Sequence, residues 1–256
     1  MTASAEPAFQ AHERRAITTI DALKVLGVVT FLVDHYGFYF HADELWWRLF
    51  GRVASPIFFF LIGFARTRTV PWTWLVFGAV LTVSQAWTIQ IFNLNILLNF
   101  ALLRFAVLPL VERFVFSQLW LLAAFVIACY LLIVPTDPYL EYGTQGWLWA
   151  LFGLGHRLSL EARTPRFVPY LLGAVAAAVY LRNESVEYGF TVLQTSLFVA
   201  MIVTVSLILA NLTREKLAWQ PGDILAPLFR FCGRRSLEIY AITLFGMQVV
   251  AYAMRP

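Results

Sequence analysis

One histidine of this chain stands inside an apolar run, Ile20-Asp21-Ala22-Leu23-Lys24-Val25-Leu26-Gly27-Val28-Val29-Thr30-Phe31-Leu32-Val33-Asp34-His35-Tyr36, with an aspartate beside it. An ionisable residue at bilayer depth costs about 2.5–3.5 kcal/mol on insertion scales, so Asp34 and His35 need a reason to be there. A neutral imidazole accepts a proton from an amine or hydroxyl near neutral pH, and a neighbouring carboxylate raises its basicity. The bland alternative is a histidine hydrogen-bonded inside a helical bundle. On a helix turning 100° per residue, Asp21, Lys24 and His35 fall within about 40° of one face and form a line about 16–21 Å long. Asp34 points about 100° away from His35, so it is expected either to orient the imidazole or to pair with an arginine of another helix.

Those arginines follow in Arg48-Leu49-Phe50-Gly51-Arg52-Val53-Ala54-Ser55-Pro56. Arg48 and Arg52 share a helical face, and Arg52 lies within apolar sequence, so it is expected to face the bundle with Asp34 as partner. A structural ion pair and substrate binding explain it equally well. Further on come Asn93, Asn95, Asn99 and Arg104. Amides in lipid commonly bind helix to helix. A guanidinium inside a span needs an anion, either a carboxylate or the phosphate of a ligand. His156 and Arg157 are expected to add to the same basic vestibule, whereas His12 and His41 carry no assigned role.

The elements that must position these residues are membrane helices. The chain has 256 residues, 60% hydrophobic and 13% charged, against about 45–50% and 25% in soluble domains. Spans of about 20 apolar residues are expected near 19–40, 49–65, 71–91, 94–111, 114–134, 144–160, 167–181, 188–211 and 236–254. The expected fold is an all-α polytopic helical membrane protein of about nine transmembrane helices, within a range of about eight to ten. The segments 144–160 and 167–181 are short and bear glycine or proline, so one of them is expected to be tilted, broken or re-entrant.

Basic residues alternate with acidic ones between the spans. Arg14, Arg15, Arg66, Arg68, Arg113, Arg163, Arg166, Arg214, Lys216, Arg230, Arg234 and Arg235 fall on one side; Asp43, Glu44, Asp137, Glu141, Glu184 and Glu187 fall on the other, with Arg182 as the exception. The positive-inside rule then puts the N-terminus in the cytoplasm. Residues 1–18 are expected to form a cytoplasmic tail lacking a signal peptide, and 19–256 a single transmembrane domain. Tryptophans and tyrosines near span ends, Trp46, Trp47, Trp72, Trp74, Tyr139, Tyr142, Trp147 and Trp219, suit the interface. The segment from Trp219 to Phe231 is expected to be a cytoplasmic loop leading into a short interfacial helix.

The net charge of +4 is explained by this topology, so no nucleic-acid partner is expected. Cys129 and Cys232 lack metal-ligand spacing, and no metal site is expected. Glycine-rich phosphate loops, CxxC, HExxH and GxSxG are absent from the sequence, which leaves nucleotide hydrolysis, metallohydrolysis and serine hydrolysis without support.

Five motifs in order resemble the TraX family of conjugative-pilin acetylation proteins, which are similar to the wider acyltransferase-three group. They are Leu23-Lys24 leading to Asp34-His35-Tyr36-Gly37; Arg48-Leu49-Phe50-Gly51-Arg52 through Ser55-Pro56; Leu94-Asn95-Ile96-Leu97; Glu141-Tyr142-Gly143 with Gly146; and Gly233-Arg234-Arg235-Ser236-Leu237-Glu238-Ile239-Tyr240. The resemblance covers most of the chain. The wider group carries arginine where this chain has Lys24, and lysine there is like TraX. After Tyr240, where the family often places a histidine, this chain departs with Ala241.

The resemblance implies acetyl transfer from acetyl-coenzyme A, as acyl-donor substrate, at the inner (cytoplasmic) membrane of a bacterium. His35 would be general base or transient acyl carrier, with Asp34 tuning it and Arg52 holding Asp34 or the developing oxyanion. Lys24, Arg104, Arg66 and Arg235, with Arg68 and Arg157, would attract the anionic donor, while Arg48, Asn95 and Tyr142 would contact the acceptor. The acceptor would be a membrane-inserted pilin N-terminus or, next, an envelope glycan or lipid hydroxyl. Two other classes stay open: a proton-coupled small-molecule transporter, and a non-catalytic factor of pilus or secretion assembly.

Overall fold

The computed structural model describes residues 16–217, 222 and 224–254. Arg14, Arg15, His12, Trp219 and most of the expected N-terminal tail lie outside them. The described residues are helical and include no strand; two isolated bridges, Thr18 with Lys216 and Leu94 with Leu140, tie loops together.

The helices are α1 (Thr19–Phe40), α2 (Leu45–Gly51), α3 (Ala54–Phe64), α4 (Trp72–Thr88), α5 (Ile96–Leu102), α6 (Leu108–Leu110), α7 (Leu119–Leu131), α8 (Ile133–Thr136), α9 (Gln145–Leu160), α10 (Phe167–Tyr188), α11 (Val192–Ala210) and α12 (Ala226–Ala253). Thr18 and Asp21 form a capping box that starts α1, with the Asp21 amide donating to Thr18 Oγ1 at 3.2 Å and the Thr18 amide to Asp21 Oδ2 at 3.0 Å. The Asp21 carboxylate is therefore used at the helix start. α5 and α6 continue one another through π-helical turns at Leu103–Val107 and Val111–Val115, and the first of these wide turns carries Arg104.

Four stretches are long and apolar enough to cross a bilayer: Thr19–Phe40, Leu45–Phe64, Val192–Ala210 and Ala226–Ala253. The bundle exposes Val29, Trp87, Phe105, Val134, Val192 and Ile242, an apolar exterior suited to lipid. The chain is a membrane protein.

Three expectations need correction. α10 is one continuous helix of 22 residues that runs to Tyr188, seven past the expected end. Its last turns read as loop because of Arg182, Asn183 and Glu184, yet Glu184 is buried against the bundle. The expected interfacial helix before the last span is the first part of α12, which runs from Ala226 and breaks its helical geometry only at Arg235 (φ −119°, ψ 19°). The second span starts at Leu45 and turns at Arg52-Val53 between α2 and α3.

α1 packs on α12, α2 and α3; α3 packs on α9, α9 on α10, and α4 on α5 and α12. α3 and α9 cross with backbones in contact. A Cβ at Gly63 would collide with the Ala150 carbonyl and one at Gly153 with the Phe60 carbonyl, so only glycine fits at either position. This crossing holds the second span against the centre of the bundle, with Phe59, Phe60, Trp149 and Phe152 buried around it.

Candidate functional site

Asp34 points from α1 towards α2. Arg52 donates to its carboxylate through Nε (3.1 Å to Oδ1) and Nη2 (3.0 Å to Oδ1, 2.8 Å to Oδ2), and Arg48 Nη1 reaches Oδ2 at 2.8 Å and the Asp34 carbonyl at 3.1 Å. All three residues are buried. A forked guanidinium matches a carboxylate on two bonds, and a buried pair persists only when its remaining hydrogen-bonding groups are also satisfied. They are: Arg52 Nη1 meets Glu184 at 3.3 Å and the Tyr142 hydroxyl at 3.3 Å, while Arg48 Nη2 donates to the Tyr188 hydroxyl at 2.7 Å. Glu184 in turn accepts from Gln145 at 2.8 Å. Tyr180, Glu184 and Tyr188 stand four residues apart on α10, and the Tyr180 hydroxyl donates to the Arg52 carbonyl at 2.8 Å. That spacing was a helical signal in residues read as loop.

The expected pairing of Arg52 with Asp34 is present. Asp34 makes no hydrogen bond to His35, because its oxygens are taken by the two arginines.

His35 lies within 2.8 Å, through Nδ1, of the Phe31 carbonyl oxygen. A carbonyl only accepts, so Nδ1 carries the hydrogen and Nε2 keeps its lone pair. No described residue hydrogen-bonds Nε2. The ring is held edge-on by Phe31 at 6.1 Å and Tyr240 at 5.7 Å.

Three cavities follow one another past this histidine. A small one of about 30 Å³ is lined by His35, Asp34, Ser55, Glu141, Tyr142 and Tyr240, among others. A wide one of about 590 Å³ shares His35, Asp34, Glu141 and Tyr142, and continues among Arg48, Arg52, Glu184 and Tyr188. A third, of about 430 Å³, shares Phe58, Phe100 and Leu237 with the small cavity and lies around Lys24. His35 thus stands at the waist between two larger spaces at opposite ends of the bundle.

The Lys24 cavity is cationic. Lys24, Arg104, Arg214 and Arg234 line it, and none of the four forms an ion pair among the described residues. Lys24 Nζ donates to the Gly233 carbonyl at 2.7 Å, Arg104 donates to Thr67 and lies over the Trp74 ring, and Arg214 lies over Phe64. Glu238 is the acidic residue of the lining. Four cations against one lining carboxylate leave the cavity net positive, which favours an anionic occupant.

The other expected cations are elsewhere. Arg66 pairs with Glu161 at 3.1 Å and Arg235 with Glu238 at 3.2 Å, each on an exposed side chain. Arg68 and Arg157 are committed to Glu112 at 3.0 and 2.6 Å, joined by Arg163 at 2.8 Å. Burial alone would raise the Glu112 carboxyl, but the hydrogen bonds from Arg68, Arg163 and Arg157 outweigh it and hold the group down at about 2. His156 bonds the Leu212 carbonyl and stacks on Phe64, a packing role. None of Arg66, Arg157, Arg235 and His156 lines the cationic cavity. Arg214, a topology signal in the sequence, and Arg234, a topology signal and a residue of the last motif, do line it.

Asn95 is fully buried and is not open to any of these cavities. Its amide bonds Tyr240 Oη at 2.9 Å and Glu141 Oε2 at 3.1 Å, so it positions two cavity residues. Asn99 binds the Glu141 carbonyl at 2.9 Å and accepts from Trp147 at 2.9 Å. Tyr142 adopts a left-handed conformation, φ 66°. That costs a non-glycine residue about 1–3 kcal/mol, and the contacts of its ring with Phe59 and of its hydroxyl with Arg52 hold it there.

A family model described as TraX protein matches residues 19–216. Neither the curated proteins nor the solved structures contain a match.

Proposed function

Because this chain belongs to the TraX family, we propose that it is an integral membrane acetyltransferase that moves an acetyl group from acetyl-coenzyme A to a membrane-associated acceptor, the N-terminal amine of a pilin in the first place. One observation carries the proposal: His35 presents a free Nε2 at the waist between a cationic cavity and a wide polar one. The phosphates of the donor suit Lys24, Arg104, Arg214 and Arg234, which form no ion pair among the described residues. The acceptor enters from the Arg48 and Glu184 side, and His35 takes its proton as the new bond to the acetyl carbon forms. Asp34, Arg48 and Arg52 form the rigid floor that fixes α1 and the imidazole it bears.

In this proposal the protein sits in a bacterial inner membrane with its N-terminus in the cytoplasm, so the Lys24 end faces the compartment that holds the donor. It crosses about nine times, with α4, the α5 to α6 stretch, α7, α9 and α10 completing the set begun by the four long apolar stretches. A proton-coupled transporter would also place ionisable groups along an intramembrane path, but it gives no reason for a cluster of unpaired cations at one end.

The test is radiolabel transfer from acetyl-coenzyme A by the purified protein in detergent, with host membrane extract as acceptor source. Label in a peptide, lost in His35→Ala, is the expected result. Label in a glycan or lipid keeps the enzyme and changes the acceptor. Full transfer by His35→Ala removes the histidine from the chemistry, and wild type that neither binds the donor nor transfers label overturns the acetyltransferase.

A further inference from the structure

Tyr240 stands in α12 with its ring buried edge-on against Phe31 at 5.4 Å and His35 at 5.7 Å. Its hydroxyl oxygen receives the Asn95 amide at 2.9 Å. The orientation of that amide is set by its other partners. Asn95 Oδ1 accepts the Leu97 backbone N–H at 3.2 Å, and Nδ2 faces Glu141 Oε2 at 3.1 Å, a carboxylate oxygen that already accepts the Ile96 amide at 2.8 Å. Only the amide nitrogen has hydrogens to give, so Tyr240 is the acceptor in its bond with Asn95 and its own hydrogen points elsewhere.

No described residue accepts that hydrogen. The phenol lines the small cavity together with His35, Asp34, Ser55, Glu141 and Tyr142, and no hydrogen bond joins it to any of these five. Ser55 gives its hydrogen to Tyr180 at 2.9 Å, since Tyr180 gives its own to the Arg52 carbonyl, and the Ser55 oxygen makes no hydrogen bond to Tyr240. Both Asp34 oxygens are taken by arginines. The cavity, at about 30 Å³, has the volume of about one water molecule, on the scale of a carbonyl oxygen. A hydroxyl whose oxygen already receives a hydrogen bond is a stronger donor for its own hydrogen.

We propose that the Tyr240 O–H is the hydrogen-bond donor that receives the oxyanion of acyl transfer, with Asn95 and Glu141 as the positioning residues that aim it. The inference rests on the acetyltransferase reading above and adds to it the group that stabilises the reacting oxygen. The acceptor nitrogen or oxygen forms a bond to the thioester carbonyl carbon while its proton passes to His35 Nε2. The carbonyl π pair moves onto oxygen, where Tyr240 donates a hydrogen bond without losing its proton. When the pair returns, the carbon–sulfur bond breaks and the thiolate leaves with the proton that His35 held. Donor and base come from different helices, α12 and α1, which pack together where Lys24 bonds the Gly233 carbonyl.

Tyr240→Phe keeps the ring and its packing. With acetyl-coenzyme A and host membrane extract, it is expected to lower the rate at saturating donor by about 10²–10³-fold, the effect of removing one oxyanion donor, with donor affinity unchanged. Replacing Tyr240 by 3-fluorotyrosine and by 3,5-difluorotyrosine makes the phenol progressively more acidic, and the rate is expected to follow that acidity. A rate indifferent to fluorination, or a fully active Tyr240→Phe, overturns the role of Tyr240 while leaving the acetyltransferase standing. Wild type without transfer or donor binding overturns both.

Discussion

Gly51 lies against Asp34 with no room for a side chain: a Cβ at Gly51 would overlap the Cα, Cβ and Oδ1 of Asp34. The missing side chain lets α2 approach α1 closely enough for Arg48 and Arg52, which flank Gly51 in sequence, to close on one carboxylate from two sides. Gly51→Ala is expected to separate the helices and to cost about 1–3 kcal/mol by overpacking. Gly246→Ala is the control, because a Cβ there meets nothing within 4 Å and alanine favours a helix interior by about 1 kcal/mol or less. Thermal unfolding of the two variants in detergent should move Tm in opposite directions.

Removal of the Asp34 carboxylate strands two buried guanidiniums. Asp34→Ala should cost about 3–5 kcal/mol, the usual consequence of breaking a buried pair from one side. Arg52→Lys should also destabilise, since an ammonium cannot span both carboxylate oxygens and reach Glu184 and Tyr142 as well. Chemical denaturation in mixed micelles would measure both. A native-like Asp34→Ala would mean that the arginines find other anions.

The donor-binding residues can be separated by where they lie. Lys24→Ala, Arg104→Ala and Arg214→Ala each remove a cation from the cavity lining, and each is expected to weaken acetyl-coenzyme A binding about tenfold, about 1.4 kcal/mol. Arg66→Ala removes one partner of an ion pair on a side chain 68% exposed, and is expected to change binding less than about twofold. Calorimetric titration of the donor into detergent-solubilised protein decides between the groups.

Glu112 gives the protein an acid-sensitive joint. Its carboxyl, at 4.5 in the ordinary case, is held at about 2 by three arginines that outweigh the opposing effect of burial. The folded value lies below the unfolded one, so the stabilisation is complete above about pH 4.5 and is lost as pH falls from there through about 2. Tm of the wild type should fall across that window, and Glu112→Gln should lose that part of the slope while being less stable at neutral pH. Parallel curves for the two proteins would contradict the assignment.

Much of the site was legible in the chain. His35 and Asp34 in an apolar run, Arg52 expected to turn inward to Asp34, and an all-helical membrane fold all follow from periodicity and from the cost of burying charge. These signals are local, since a side chain at bilayer depth must be explained whatever surrounds it. Which partner satisfies it is a different matter. Sequence reasoning assigned the anion-binding role to Arg66 and Arg235, yet those side chains meet Glu161 and Glu238, whereas Arg214 and Arg234 reach the cavity. Glu184 read as part of an outer loop, yet it completes the Arg52 network from α10. The Tyr240 hydroxyl was visible only as a motif letter, and its free hydrogen emerges from the position of Asn95 and Glu141 on other segments. Local spacing specifies a helical face, but the lining of a cavity depends on which helices become neighbours, and that is settled by close crossings such as Gly63 with Gly153 and Gly51 with Asp34 between segments that carry no mark of one another.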